Sequence, residues 1–306
     1  MEIRQLRYFL STVRLGSLKA AAREHFVTQP AVSIQLKKLE AELGEKLYTR
    51  RGRRVVATQA GDMVATQGEA ILGRVDSLKD SITQLTHGHA GYLRIGNIDA
   101  ASIYVLPGVF HAFRRRYPGV DVQVTVADSD TLVAALESGA IELAIVTLPL
   151  GGEGLEVVPF YRDRMLLVAS PRHELATSRL ARRRPLQAAS EAGLITYPAQ
   201  SVTRRLLEKV FIDNGLTLRA AMEMSSPEAI KRLTEAGIGA SILPRKVVVD
   251  ELKRGTLKSI ATGGIRFERM LGVVHRGVEK LSQPASIFLT MLMKKHKIRT
   301  NRKAGT

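Results

Sequence analysis

The sequence predicts an N-terminal all-α winged helix-turn-helix, then one long linker helix, then a C-terminal α/β domain built in two halves. Apolar residues in the first segment recur every three or four positions, as they do on one face of a helix. One uninterrupted helical pattern follows, and beyond residue 90 strands alternate with helices. A chain of 306 residues exceeds what one hydrophobic core usually supports, so several domains are expected.

Charge and composition narrow the class of protein. The net charge is +17 at pH 7, and it is densest in residues 1–58 and in a short C-terminal tail. A protein this basic usually binds nucleic acid or an anionic membrane surface. The absence of cysteine excludes disulfides, thiolate nucleophiles and zinc fingers. The sequence shows no secretory leader and no apolar run of about 18 residues, so we expect a cytoplasmic protein without a membrane span.

The first three predicted helices have recognisable ends. Gly16 ends the first helix, and Ser17 is placed to cap the second. Thr28 caps a third helix that has Pro30 just inside its start and Gly44 just past its end. The apolar residues expected to face inward are Leu6, Phe9, Leu10 and Val13 in the first helix, Leu18, Ala21, Ala22 and Phe26 in the second, and Val32, Leu36, Leu39 and Leu43 in the third.

A small hairpin is expected after these helices. Residues 47–49 and 55–57 have strand-like composition, and the turn at 51–54 lies between them. A two-stranded wing after a helix-turn-helix is the simplest interpretation.

A long helix should then run from Thr58, its N-cap, to about His87. Apolar residues along it alternate at spacings of four and three, a period of about 3.5 that is typical of a helix packed on a partner helix. The alternative is an ordinary amphipathic helix packed on its own chain. The residues expected to form the dimer contact are Ile71, Val75, Leu78, Ile82 and Leu85.

The remaining chain alternates strands and helices after a breaker cluster at 87–91. A strand at 91–97, a helix at 103–116 and later a strand at 141–147 start this rhythm, and two further strands are expected at 155–160 and 165–170. It predicts an α/β domain with mostly parallel sheets. Residues 271–275 and a closing helix at 284–293 are expected to return to the first half.

The start of the third helix is the strongest functional signal. A helix-turn-helix places its second helix in the major groove with its N-terminal residues near base edges. Gln pairs well with adenine, Lys suits phosphates, and Arg suits the negative minor groove. The alternative is a solvated basic face. The residues expected at bases are Gln29, Pro30, Ser33 and Ile34, and those expected at the backbone or minor groove are Lys37, Lys38, Arg50, Arg53 and Arg54.

Residues 16–61 carry a dense set of motifs, and with them the segment closely resembles the LysR-type transcriptional regulators. Similarity continues at 117–120, 136–146 and 235–244. Tyr48, Ala57 and Ile34 depart from the commoner residues, and Ile34 bears on which operator is read. The matching residues are Ala21-Ala22, Thr28-Gln29-Pro30-Ala31-Val32-Ser33, Leu39-Glu40, Leu43-Gly44, Leu47-Tyr48, Arg50, and Thr58 with Ala60-Gly61.

The resemblance implies that Gln29, Pro30 and Ser33 read bases, that the linker helix dimerises, and that tetramers form. It also implies a C-terminal domain like the periplasmic binding proteins, with two lobes closing over a small ligand around crossover strands near 160–164 and 264–268. The expected domains are 1–58 for DNA binding, 59–88 for the linker, and 89–306 for the effector, with lobe I at about 91–162 and 266–297 and lobe II at about 163–265.

The effector cavity should lie between the lobes, at strand ends and helix starts, which favour anions. Members of the family hold small, often anionic, metabolites with hydroxyls and amides at such places. Helix capping is the alternative role of each hydroxyl. Asp99 is an awkward neighbour for an anion, so a neutral or cationic effector stays open. The candidate residues are Ala100, Ala101, Ser102, Thr147, Ser201 and Thr203.

Three rival classes are weaker. No catalytic grouping or cofactor motif can be assigned from spacing, so we expect neither an enzyme nor a cofactor. His87 and His89 lack a third ligand nearby, so no metal is expected. A solute-binding protein would leave residues 1–58 unexplained, and a nucleoid-packing protein would not need a ligand domain. The sequence therefore predicts a sequence-specific DNA-binding regulator that responds to a small molecule, reads an inverted repeat as a dimer, and has RNA polymerase as a further candidate partner.

Overall fold

The computed structural model describes residues 1–52, 54–87, 91–150, 154–178 and 183–296. Of residues 76–77 and 79–87 it describes the backbone only. The chain forms two compact units, residues 1–91 with 134–141, and residues 92–133 with 142–306. Among the described residues, no helix combines the length and apolar character that crossing a membrane requires.

Three short helices open the first unit with the predicted ends. Gly16 takes a left-handed φ of 63°, which favours glycine and reverses the chain. The Ser17 hydroxyl accepts from the Ala20 amide at 3.3 Å, and the Thr28 hydroxyl accepts from Ala31 at 3.4 Å. The helices are α1 (Ile3–Leu15), α2 (Leu18–Glu24) and α3 (Gln29–Leu43).

The first core confirms most of the expected inward faces, with two corrections. Phe9, Val32 and Leu36 are among its buried residues. Phe26, expected on the buried face of α2, is 96% exposed because α2 ends at Glu24 and Phe26 takes a φ of 55°, which turns it off that face. Leu43 is 42% exposed, since it is the last residue of α3 before the chain reverses at Gly44.

The predicted wing is present and is tied to the helices. Strands β1 (Tyr48–Arg51) and β2 (Arg54–Ala57) pair antiparallel. The Val55 amide donates to the Gly16 carbonyl at 2.9 Å, which fixes β2 to the end of α1. On the other side, the buried Glu40 carboxylate accepts from the Leu47 amide and from the Lys46 ammonium, both at 3.0 Å. These bonds orient the wing relative to α3.

The long helix α4 (Gln59–His87) starts where predicted. The Thr58 hydroxyl accepts from the Gly61 amide at 3.0 Å. A side chain at Gly61 would collide with the Leu47 carbonyl oxygen, so only glycine allows this approach of α4 to the wing.

The second unit is organised around a seven-stranded sheet in the order β10-β6-β11-β5-β3-β4, with β9 also paired to β6; β7 and β8 pair parallel beside it. The strands are β3 (Gly91–Asn97), β4 (Val120–Val126), β5 (Leu143–Leu148), β6 (Glu156–Ala169), β7 (Leu194–Thr196), β8 (Ala220–Glu223), β9 (Ser241–Pro244), β10 (Lys258–Ser259) and β11 (Phe267–His275). The helices are α5 (Asp99–Tyr104), α6 (Pro107–Arg116), α7 (Ser129–Ser138), α8 (Glu174–Thr177), α9 (Pro185–Ala192), α10 (Val202–Asp213), α11 (Pro227–Glu235), α12 (Arg245–Arg254) and α13 (Gln283–Lys295), with a 3-10 turn at Val278–Lys280.

Three expectations for this unit were wrong in detail. The helix predicted at 103–116 is two helices, α5 and α6, because Pro107 lacks an amide hydrogen and starts a new helix. The two strands expected at 155–160 and 165–170 form the single strand β6. The sheet is mixed rather than mostly parallel, since β6 and β11 pair antiparallel with each other.

Strands β6 and β11 run through both halves of the second unit. Phe160 of β6 belongs to a core with Phe113 and Phe288, whereas Met165 of the same strand belongs to a core with Phe211. β11 likewise begins at Phe267 in the core that contains Phe211, and it continues into the core that contains Phe113 and Phe288. Two cores linked by two crossing strands form the two lobes, and the crossing lies where Asp163 faces Arg269.

Candidate nucleic-acid interface and ligand cavity

One end of α3 presents polar and apolar side chains outward while the opposite face is buried. Gln29, Pro30 and Ile34 are exposed, and Ser33 is half-buried. Residues four positions apart, such as 29 and 33, lie one above the other on a helix. The helix is therefore held by its apolar face and leaves its amino end free for a partner.

Four of the five predicted basic contacts are exposed, two on α3 and two on the wing. They are Lys37, Lys38, Arg50 and Arg54, and the fifth residue, Arg53, lies outside the described residues. Within the described ranges Lys37 and Lys38 form no ion pair. Free cations of this kind are suited to phosphates.

Another charge cluster in this unit serves the fold. Arg14 of α1 donates to both Glu24 oxygens at 2.6 Å, and the Ser11 hydroxyl donates to Glu24 at 2.8 Å. The hydrogen bond from Ser11, followed by that from Arg14, lowers the pKa of Glu24 below its ordinary value. The cluster ties α1 to the end of α2, so Arg14 is engaged within the protein.

The linker helix shows part of the predicted apolar stripe. Leu78 is 62% exposed, Ile71 is 36% exposed, and Val75 is half-buried. The side chains of Ile82 and Leu85 lie outside the described residues. Exposed aliphatic residues at this spacing are typical of a face that another helix covers.

A cavity of about 400 Å³ lies between the two lobes of the second unit. Of the candidate effector residues, Ala100, Thr147, Ser201 and Thr203 line it. Ala101 and Ser102 are not among the lining residues, which corrects that part of the expectation, because α5 turns them away. Ala101 is fully buried in the first lobe's core, and the Ser102 hydroxyl accepts from the Asn97 side-chain amide.

The cavity wall includes Arg269, which belongs to a buried ion pair that the sequence did not indicate. Arg269 Nε donates to Asp163 Oδ2 at 3.0 Å, and Arg269 Nη1 donates to the Thr203 hydroxyl at 3.1 Å. Burial raises the pKa of Asp163, although Arg269 opposes that shift. The two residues are 106 positions apart, so the spacing of residues within one segment does not indicate the ion pair. The available signal was a short run of charged residues, 162–164 in one strand and 268–269 in the other, between apolar stretches.

A further set of contacts joins the lobes at α5. The Ser226 hydroxyl donates to Asp99 Oδ2 at 2.7 Å, and the Tyr104 hydroxyl donates to Glu228. Glu228 is also paired with Lys231 at 2.8 Å. Burial and the bond to Glu228 raise the pKa of Tyr104 to about 12, so Tyr104 stays a neutral donor. The sequence places Asp99 beside the cavity but does not indicate its partner Ser226.

Tyr197 adds an unsatisfied group to the same wall. It lines the cavity with only 4% of its surface exposed, and its hydroxyl has no hydrogen-bond partner among the described residues. Burial raises its pKa, so the hydroxyl keeps its proton. Elsewhere in the described ranges, no group of three or more His, Cys, Asp or Glu is placed to hold a metal ion.

Comparisons with known proteins agree with this architecture. The family described as "Bacterial regulatory helix-turn-helix protein, lysR family" matches residues 3–62, and the "LysR substrate binding domain" family matches residues 86–297. The HTH-type transcriptional regulator CbbR of Rhodospirillum rubrum is 33% identical over 294 residues, covering 95% of each chain. The RuBisCO operon transcriptional regulator of Allochromatium vinosum is 30% identical over 288 residues, covering 94% of each.

Two solved structures share the fold. The crystal structure of CbnR, a LysR family regulator, superposes with a TM-score of 0.74 at 23% identity, covering 97% of this chain and 100% of CbnR. Full-length CbnR in complex with its target DNA gives a TM-score of 0.71 at 24% identity, covering 97% and 99%.

A winged helix-turn-helix joined to a two-lobed binding domain defines a DNA-binding transcriptional regulator that responds to a small-molecule effector. The matches to both family descriptions cover most of the chain. The chain belongs to the LysR family of transcriptional regulators. The resemblance and the fold class expected from the sequence are thereby confirmed.

Proposed function

We propose that Gln29, Pro30, Ser33 and Ile34 contact base edges in the major groove. The support is their position at the free end of a helix whose other face is buried. Gln29 can pair with adenine through two hydrogen bonds, and Ile34 can contact a thymine methyl group.

Lys37, Lys38, Arg50 and Arg54, together with Arg53, position the protein on the phosphate backbone and in the minor groove. The exposure of Lys37, Lys38, Arg50 and Arg54 and the high charge of this segment support the role. Such contacts hold the recognition helix in register without reading the sequence.

The linker helix pairs with its copy in a second chain through Ile71, Val75, Leu78, Ile82 and Leu85, and two such dimers form a tetramer. Two recognition helices then face half-sites of an inverted repeat about one DNA turn apart. In this proposal residues 1–58 bind DNA, 59–88 dimerise, and 89–306 bind effector, with the lobes dividing near 162–163 and 265–266.

The cavity between the lobes binds the effector, with Thr147, Ser201 and Thr203 as contacts. Binding favours one lobe arrangement over another, and that shift changes how the tetramer holds and bends DNA. A regulator of this kind acts in the cytoplasm, where it reaches both DNA and RNA polymerase.

The observation that carries the proposal is the exposed amino end of α3 above a buried apolar face. The test is fluorescence anisotropy with an operator fragment and a random duplex. Because relatives are named as RuBisCO regulators, promoters of RuBisCO genes are the first fragments to screen. Gln29→Ala and Ser33→Ala should each weaken operator binding by about tenfold, while random-duplex binding changes little.

Gln187→Ala, on α9 of the second unit, is the matched control and should leave both affinities unchanged. An equal loss on operator and random duplex would contradict base reading by Gln29 and Ser33. Wild-type protein that binds every genomic fragment as weakly as random duplex would contradict the function as a whole.

A further inference from the structure

The cavity between the lobes has an acidic wall and no uncommitted cation. Its charged lining side chains within the described residues are Asp99, Asp128, Asp130 and Arg269. Arg269 is already paired with buried Asp163 and donates to Thr203. A ligand with several negative charges would therefore meet carboxylates without a free guanidinium or ammonium to balance them.

Asp99 is the half-buried carboxylate of this wall with capacity left for a ligand, whereas Asp130 is exposed to solvent. Only its Oδ2 atom accepts a bond from a described residue, the one from the Ser226 hydroxyl at 2.7 Å. Asp128, by contrast, uses both oxygens to cap α7, accepting from the Thr131 amide at 3.0 Å and the Thr131 hydroxyl at 2.8 Å. The Ser226 hydroxyl donates to Asp99 Oδ2, so Asp99 Oδ1 remains as an open acceptor on this wall. That oxygen favours a ligand that donates a hydrogen bond, and most of all a positively charged donor.

The lobe II part of the cavity has the opposite chemistry. Ser201, Val202 and Thr203 line it at the start of α10, a helix of 12 residues. The Ser201 side chain does not cap this helix, so its first-turn amides remain available to an anion. The Thr203 hydroxyl accepts from Arg269, which leaves its proton free to donate into the cavity.

Tyr197 supplies the independent sign that a ligand belongs here. Its buried hydroxyl has no partner among the described residues, although buried polar groups in native proteins are nearly always hydrogen-bonded. Because Tyr197 lines the cavity beside Ser201 and Thr203, a bound molecule is the natural partner for that hydroxyl.

We propose that the cavity takes a zwitterionic ligand of the amino-acid class, with its ammonium group at Asp99 and its carboxylate at the amino end of α10. The inference rests on the proposed effector role of this cavity and adds the chemistry of the molecule. It replaces the anionic metabolite that the family resemblance suggests, because Asp99 repels a second carboxylate and attracts an ammonium group.

The experiment uses the full-length protein and a panel of the proteinogenic L-amino acids, each tested beside the 2-oxo acid with the same carbon skeleton. Thermal shift identifies binders and calorimetry gives Kd. At least one amino acid should bind, and its 2-oxo acid, which lacks the ammonium, should bind at least about tenfold more weakly. Asp99→Asn should reduce the amino-acid affinity by a similar factor.

Asp250→Asn, on an exposed face of α12, makes the same charge change away from the cavity and should leave the affinity unchanged. If Asp99→Asn fails to fold, Asp99→Ser takes its place. Binding of 2-oxo acids or of sugar phosphates in preference to amino acids would overturn the inference and leave the cavity as an effector site. Equal affinity in wild type and Asp99→Asn would also overturn it.

If the protein binds operator DNA but none of these compounds, the inference of an amino-acid ligand is overturned, while the proposed recognition of DNA sequence still stands. Loss of operator preference in the same preparation would instead count against the proposed function. Anisotropy on the operator, measured with and without the binding amino acid, therefore separates the two failures.

Discussion

Arg269 of β11 donates to Asp163 of β6 at 3.0 Å, and the pair joins the two strands that cross between the lobes while both side chains are buried. Asp163→Asn should leave the Arg269 charge without its partner and lower the free energy of unfolding by about 3–5 kcal/mol. The double variant Asp163→Leu/Arg269→Met should be closer to wild type, because it removes both charges. Chemical unfolding, followed by a probe in the second unit, measures the difference.

A diagonal ion pair on the same two strands is the control for that measurement. Arg162 and Glu268 are 3.6 Å apart, and the Arg162 side chain is 65% exposed. Glu268→Gln should therefore change stability by less than about 1 kcal/mol. A loss as large as that of Asp163→Asn would show that burial does not set the difference.

Leu36 and Leu43, on the same helix, should respond very differently to truncation. Leu36 is 1% exposed, so Leu36→Ala should destabilise the first unit by about 2–5 kcal/mol. Leu43 is 42% exposed, and Leu43→Ala should cost about 1 kcal/mol or less. Thermal unfolding followed by circular dichroism compares them, and similar losses would contradict the assignment of Leu43 to the surface.

Leu78→Glu should weaken self-association, because it places a charge in the middle of the proposed helix pair. Sedimentation velocity at micromolar concentration should show smaller species than wild type. Met63→Glu is the matched control, since Met63 is also exposed on α4 but lies off the 71-78-85 register. An unchanged distribution for Leu78→Glu would place the dimer contact elsewhere.

Lys37→Ala should weaken binding to every DNA sequence and flatten the dependence of log K on log salt by about one unit. Titrations at several salt concentrations, on operator and random duplex, measure this slope. Lys209→Ala, on α10 of the second unit, removes the same charge far along the chain and should leave the slope as it is. If the salt dependence of Lys37→Ala has the same slope as that of the wild type, Lys37 does not contact a phosphate.

Elements with local signals were predictable from the sequence. The caps at Ser17, Thr28 and Thr58 need only a hydroxyl three residues before an amide, and the structure has all three bonds. Phe26 was misplaced because its spacing fits the face of α2, while the helix ends two residues earlier and the backbone turns left-handed. Periodicity cannot register a change of φ at one residue.

The cavity was predictable only at the helix starts. Thr147 lies near the end of strand β5, and Ser201 and Thr203 lie at the start of α10, a pattern visible in the sequence. Arg269 depends on Asp163 through the pairing of β6 with β11, and Asp99 depends on Ser226 across the lobes. Such partners are fixed by topology, and no spacing within one segment indicates them.

Gly61 has a consequence for how the protein measures DNA. The start of α4 packs against the Leu47 carbonyl, and Glu40 of α3 accepts from the Leu47 amide, so we expect the wing, the recognition helix and the beginning of α4 to move together. In the proposed dimer this rigid junction between the wing and α4 fixes the distance between the two recognition helices, and so the spacing of the half-sites. Operators with a base pair inserted at the centre should then be bound poorly, because the insertion rotates one half-site relative to the other and the rigid junction keeps the recognition helix from following it.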